Sequence, residues 1–151
     1  MMNATRRQAI KNASIIGLML SAGLITQAQA DEWNKAAFAA KSMEDVFKSL
    51  GSGLPEKSDR IKLNASDIAE NGAVVPVGIE TDLNAQKIAI LVEKNPSTLA
   101  AQFDFPAGAM PFVTTRVKLG QTSNVHALVQ SDGKWFIATK EIKVTLGGCG
   151  G

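Results

Sequence analysis

The only thiol in the chain, Cys149, stands between two pairs of glycines: Gly147 and Gly148 before it, Gly150 and Gly151 after it. A thiolate is a nucleophile and a former of sulfur–sulfur bonds. Glycine has no Cβ and visits most of backbone space, so this pentapeptide reads as a flexible arm rather than an ordered element. At about 3.3–3.6 Å per extended residue the thiol reaches about 10 Å beyond Leu146, into slots too narrow for a folded domain. A buried structural cysteine would instead have apolar neighbours at strand or helix spacing. The pattern points to a functional thiol, because an odd cysteine in an exported protein pairs between chains or reacts.

The chain does little to activate that thiol itself. No lysine or arginine lies within five residues of Cys149, and a terminal carboxylate two residues away disfavours the thiolate. Cys149 therefore reads as a handle that other proteins' active sites activate, more carrier than catalyst. The single histidine, His126, falls mid-strand between Val125 and Ala127 and reads as a surface or partner-facing residue. With no second histidine, imidazole and thiolate ligands cannot assemble a metal cage. A Cys149–His126 pair is open geometrically, but a mobile tail holds a thiolate poorly in register with a base. No phosphate-cradling glycine loop, zinc motif or serine-nucleophile elbow occurs. The expectation is no catalytic residue, no metal and no cofactor. Activation of a Gly-Gly terminal carboxylate, as in ubiquitin-like sulfur carriers, fits badly: it consumes ATP, and the central helix of that fold has no counterpart here.

Export is read from the first thirty residues. Arg6, Arg7 and Lys11 form a basic n-region, residues 13–26 are uncharged and apolar or small, and Ala28-Gln29-Ala30 offers a cleavage site. The uncharged run is shorter than the roughly 20 residues a membrane span needs. The Arg-Arg-x-apolar-apolar-Lys pattern points to the twin-arginine route, hence to the periplasm. That route carries folded cargo, and a partner chain travelling on this signal would explain its use. Of 16 basic and 14 acidic residues, three basic ones leave with the signal, so the mature chain stands at 13 against 14, a net of −1. No basic stripe remains for nucleic acid. About 120 residues suffice for one core without disulfide staples.

The elements that must position the arm are mostly strands. Residues 31–58 read as a helical extension and linker. Met43, Val46, Phe47 and Leu50 share a helix face, Ser42 and Asp45 form a capping box, and Gly51 ends the helix. That face packs either on its own domain or on a second chain. Residues 51–58 (GSGLPEKS) read as linker by composition. From 59 to 146 short β segments alternate with turn signals, as in a sandwich. The strand candidates are 60–63, 73–80, 86–93, 101–105, 112–119, 124–130, 134–139 and 141–146. Ser131-Asp132-Gly133 is a tight hairpin signal. The continuous apolar run Ile88–Val92 suits a strand covered on both faces, and Pro76 argues for an edge strand or bulge. In the last segment Ile142, Val144 and Leu146 face one way, so the arm begins where apolar anchoring stops.

The terminal GGCGG, an export signal and a β-rich domain together resemble the SoxY family, the sulfur-carrier subunits of the bacterial thiosulfate-oxidising (Sox) system. The stretches Ile68–Val77 (IAENGAVVPV), Lys94–Phe103 (KNP followed by LAAQF), Thr115–Val125 (TRVKLGQTSNV) and Lys143–Gly151 (KVTLGGCGG) are similar to that family. The resemblance implies a mainly β fold, an immunoglobulin-like antiparallel sandwich with a helical extension and a flexible arm. It implies a heterodimer with SoxZ, a second β-sandwich chain. It also implies sulfur intermediates bound covalently at Cys149, with a Sox cytochrome, hydrolase and sulfane dehydrogenase acting on them in turn. Under that reading the chain is not an enzyme, and a Cys149–Cys149 disulfide would join two carriers as an off-cycle form. The alternative from the residues alone is a periplasmic binding or assembly module tethered to a partner by an intermolecular disulfide.

Overall fold

The computed structural model describes residues 35–145, so the expected export signal at 1–30 and the arm at 147–151 lie outside the described residues. A helical stretch at 35–39 leads into helix α1 (Met43–Leu50). Ser42 caps α1: its Oγ accepts from the Asp45 N–H at 3.2 Å and donates to the Asp45 carboxylate at 2.7 Å. Gly51, at φ 64°, ends the helix, with the N–H groups of Gly51 and Ser52 donating back to the carbonyls of Lys48 and Phe47. This is the paired bonding that satisfies the last orphan carbonyls of a helix.

Nine strands follow among the described residues: β1 (Glu56–Lys57), β2 (Ile61–Asn64), β3 (Ile68–Ala69), β4 (Val75–Thr81), β5 (Ala85–Val92), β6 (Leu99–Asp104), β7 (Phe112–Val117), β8 (Ser123–Ser131) and β9 (Lys134–Val144). The larger sheet runs β1-β9-β8-β5-β6, with β3 also on the β9 edge; the smaller runs β2-β4-β7. Both sheets are antiparallel except that β1 and β3 join β9 in parallel. The result is an immunoglobulin-like sandwich.

β5 shows why its apolar run is continuous. Ile88, Ile90 and Val92 enter the core between the sheets with Val75, Val77 and Ile79 of β4 and Val125, Ala127 and Val129 of β8. Ala89 and Leu91 point out of the other face, where Val46 and Leu50 of α1 cover them together with Leu99, Leu128 and Trp135. The helix face thus packs on its own domain and gives the large sheet a second core. Burial of each such side chain contributes about 1.5–3 kcal/mol.

Several expectations are corrected by the packing. The segments 134–139 and 141–146 are not two strands: β9 runs unbroken from Lys134 to Val144. Lys140 interrupts the apolar pattern, but its ammonium reaches the Ala65 carbonyl and Asp67 Oδ1, 2.9 Å away, so no break is needed. Residues 51–58 are not all linker, since Glu56 and Lys57 pair with Phe136 and Ile137. β4 is the central strand of its sheet rather than an edge. Pro76 is nonetheless accommodated, because the β2 ladder stops at Gly78 and Pro76 has only Arg116 of β7 as neighbour. The β8–β9 hairpin closes as expected: Asp132 and Gly133 both take positive φ (50° and 76°), the two-residue turn that matches strand twist.

Candidate functional site

The described residues end at Thr145, one residue past β9, and three segments grip β9 there. β3 lies alongside, with Lys143 N–H donating to the Asp67 carbonyl at 2.9 Å and Thr145 N–H to the Ala69 carbonyl at 3.1 Å. From the loop before β8, Thr122 Oγ1 accepts from the Val144 N–H at 3.0 Å. The third segment is the turn 71–74, where Asn71 accepts from the N–H groups of Ala73 and Val74.

Gly72 makes the third grip fit. A Cβ there would lie 2.5 Å from the Leu119 carbonyl oxygen and 2.9 Å from Val144 Cγ1. Glycine lets the turn come close enough for the Gly72 carbonyl to accept from the Leu119 N–H at 2.7 Å. Leu119 is steadied in turn by Asn95, whose amide donates to the Lys118 carbonyl at 2.6 Å and accepts from the Gly120 N–H at 3.2 Å. Lys94 N–H bonds Ser123 Oγ, and Ser123 pairs across from Ile142. Three of the four stretches singled out in the sequence, at Ile68–Val77, Lys94–Phe103 and Thr115–Val125, therefore converge on the described start of the fourth, the end of β9 at Lys143–Val144. Their common task is to hold the last turn of chain before the expected arm.

The arm residues themselves, Gly147, Gly148, Cys149, Gly150 and Gly151, lie outside the described residues. His126 is described, and its reading as a surface or partner-facing residue is corrected: it is buried, at 9% exposure. Nδ1 meets Thr139 Oγ1 at 2.7 Å, while Nε2 lies 3.6 Å from Glu93 Oε2, itself bonded by the Asn124 amide at 2.9 Å. Burial pushes the His126 pKa below the ordinary histidine value, with Glu93 pulling in the opposite direction. His126 pairs with Thr139, six residues before Thr145 and so about 20 Å back along the strand. The ring is thus engaged in the sheet away from the anchor.

Sequence reasoning placed a final strand before the expected arm but missed Gly72, Asn95 and Thr122 as anchoring residues. Nothing in the sequence spacing of Asn71-Gly72 points to Val144. Among the described residues no cluster of three or more His, Cys, Asp or Glu could hold a metal, and no helix is long and apolar enough to cross a membrane.

Known proteins align with this arrangement. The family model for SoxY, described as "Sulfur oxidation protein SoxY", matches residues 46–149, a span that runs from inside α1 to Cys149. Among solved structures, the sulfur carrier protein SoxY from Chlorobium limicola f thiosulfatophilum is similar at 37% identity and a TM-score of 0.61, covering 68% of this chain and 94% of its own. A superoxide reductase (neelaredoxin) from Ignicoccus hospitalis is similar at 20% identity and a TM-score of 0.51, covering 56% of this chain and 80% of its own. That second likeness is one of fold alone. No curated protein matches.

Proposed function

The chain belongs to the SoxY family of sulfur-oxidation carrier proteins, and from that premise we propose that it works in the periplasm, holding sulfur intermediates covalently on Cys149. In this reading residues 1–30 are a twin-arginine signal, 31–55 a helical extension and linker, the sandwich runs from β1 at Glu56 to 146, and 147–151 are the arm. The observation that carries the reading is the convergence of three separate stretches on the end of β9, shortly before the family match reaches Cys149. A carrier needs such a division: a firmly held strand, then a thin thread.

The chemistry belongs to the thiol and to partner enzymes. Loading joins the Cys149 thiolate to the terminal sulfur of thiosulfate. One S–S bond forms, and two electrons leave to the Sox cytochrome. Hydrolysis of the resulting S-thiosulfonate by water breaks the bond between sulfane and sulfonate sulfur; it releases sulfate and two protons and leaves a persulfide anion on Cys149. A sulfane dehydrogenase oxidises that remaining sulfur to a sulfonate, taking three oxygens from water, releasing six protons and passing six electrons to a cytochrome acceptor; a second hydrolysis then releases sulfate and frees the thiol. Sulfur–sulfur bonds are broken by stray thiols, so the adduct is handed between enclosed sites. The carrier itself catalyses none of these steps and needs no resident cofactor. Its standing partner is a SoxZ-like β-sandwich subunit.

Cys149→Ser in the full chain with its partner subunit tests the reading. Intact-mass spectrometry of non-reduced protein from cells grown on thiosulfate should show a sulfur-oxyanion adduct on the parent and none on the variant. Thermal unfolding should be unchanged. A protein-sized disulfide adduct on the parent would replace the carrier reading with that of a tethered assembly module.

A further inference from the structure

The chain's single histidine stands in the large sheet between Leu91 of β5 and Thr139 of β9, on the face that α1 also covers. His126 is buried, and its Nε2 has no hydrogen-bond partner. Facing Nε2 at 3.6 Å is Glu93 Oε2, the same oxygen that accepts from the Asn124 amide at 2.9 Å. A buried polar atom left unpaired is costly, and here a carboxylate stands just short of bonding distance.

A proton changes which group holds that oxygen. In the neutral ring a lone pair on Nε2 would repel the carboxylate, so the ring proton sits on Nε2. Nδ1 then accepts from the Thr139 hydroxyl at 2.7 Å. A proton taken from solvent adds to Nδ1, which turns from acceptor to donor towards Thr139 Oγ1. The ring is now a cation, and its Nε2–H favours a carboxylate oxygen at about 2.8 Å. The Glu93 side chain is 45% exposed and free to make so small a move. Leu91, Leu128 and Thr139 around the ring do not titrate. Glu141, paired opposite Asn124, and Lys57, paired opposite Ile137, lie further along the same face and are exposed, as are Lys35, Lys41 and Lys94. Among the described residues Glu93 is the one charge that acts on the ring.

Glu93 opens the turn 93–98. Its N–H donates to the Asn124 carbonyl at 3.1 Å, so Asn124 holds Glu93 by main chain and side chain together. Further along the turn, Asn95 accepts from the Gly120 N–H, and the Thr98 N–H donates to the Ala40 carbonyl at 3.1 Å. The turn thus braces both the loop before β8 and the chain entering α1.

We propose that His126, Glu93 and Asn124 form a proton-operated latch on this turn: when His126 takes up a proton, Glu93 Oε2 leaves the Asn124 amide for Nε2, and the turn loses one of its two holds on Asn124. The proposal goes beyond the carrier reading and takes from it only the source of acid. Hydrolysis and oxidation of the adduct release protons in the compartment where the chain works, and those protons loosen the turn.

NMR of the full chain with its partner subunit, from about pH 7.5 to about pH 5, tests the latch. In the parent, the His126 ring and the Asn124 side-chain amide should titrate together, with one midpoint below about 6.5. Protection of the Gly120 and Thr98 N–H groups, corrected for intrinsic exchange, should fall about threefold across that midpoint. In Glu93→Gln the ring should titrate at lower pH, because the carboxylate that favours its charged form is gone. The Asn124 amide and the protection should then stay level, as they should in His126→Gln. An Asn124 amide that stands still while the parent ring titrates overturns the latch. A parent ring that stays neutral throughout overturns it, and so does an Asn124 response that survives intact in Glu93→Gln. If His126→Gln melts early, Glu93→Gln carries the comparison alone. None of these readouts involves Cys149, so failure of the latch and failure of the carrier reading, which adduct mass reports, are told apart.

Discussion

Gly72 and Val144 stand so close that a single added carbon on Gly72 would fall 2.9 Å from Val144 Cγ1, with the Leu119 carbonyl oxygen nearer still at 2.5 Å. The valine methyl could turn aside. The carbonyl belongs to a loop held by Asn95 and could not. Gly72→Ala should therefore force the turn off β9 and break its bond to Leu119, costing about 1–3 kcal/mol. Urea unfolding measures this; a change under about 0.5 kcal/mol would show that the approach is not needed.

Stability should fall as the pH drops from 7.5 to 5.5. The folded pKa of His126 lies below its unfolded value of about 6.5, because burial disfavours the imidazolium. The unfolded chain therefore binds the proton more readily, and stability is lost as pH falls through about 6.5 towards the folded pKa. Asp67, held below its usual value by Lys140, acts in a separate window below about 3.8. Denaturant midpoints for parent and His126→Gln should show the slope in the parent and a flatter profile in the variant. A parent midpoint that is level or rises towards pH 5.5 would contradict the assignment.

For the arm, Gly147→Val/Gly148→Val keeps Cys149 and its spacing while stiffening and widening the thread. No charge is added near the thiol, so a small reagent should label it at close to the parent rate. Enzymatic loading and turnover should fall more than tenfold, about 1.4 kcal/mol or more in the transition state. Normal turnover would show that the glycines are not needed for access. Labelling that falls as far as turnover would show a changed thiol rather than a blocked passage.

Export supplies a test that leaves the fold untouched. Arg6→Lys/Arg7→Lys should hold both this chain and its partner subunit in the cytoplasm, as read by cell fractionation. A partner still found in the periplasm would mean that it travels independently.

What the sequence made legible was what a few adjacent residues decide. Ser42 and Gly51 bound the helix, Asp132-Gly133 closes the hairpin, and the unbroken run at Ile88–Val92 announces a strand buried on both faces; each is a local preference. β1 and β3 escaped because two residues have no periodicity, and they are strands only because β9 offers them an edge. His126 looked superficial for the same reason: its burial depends on Glu93 and Thr139, thirty-three positions before it and thirteen after. The expectation placed on Cys149 rests likewise on a contiguous glycine setting. The residues gripping the final strand could not be picked out, since Gly72, Thr122 and Val144 meet only in three dimensions.

β9 has hydrogen-bonded neighbours along both edges: β8 on one side, β1 and then β3 on the other. Those bonds lie across the strand, so tension applied along the chain at Thr145 loads them side by side, as a glued lap joint is loaded, rather than one after another as in a peeled strip. The two β3 rungs and the Thr122 bond take the load first, with the eleven residues of β9 behind them. Under the proposed carrier role, a pull on the chain beyond Thr145 would therefore meet bonds that must give way together rather than one by one.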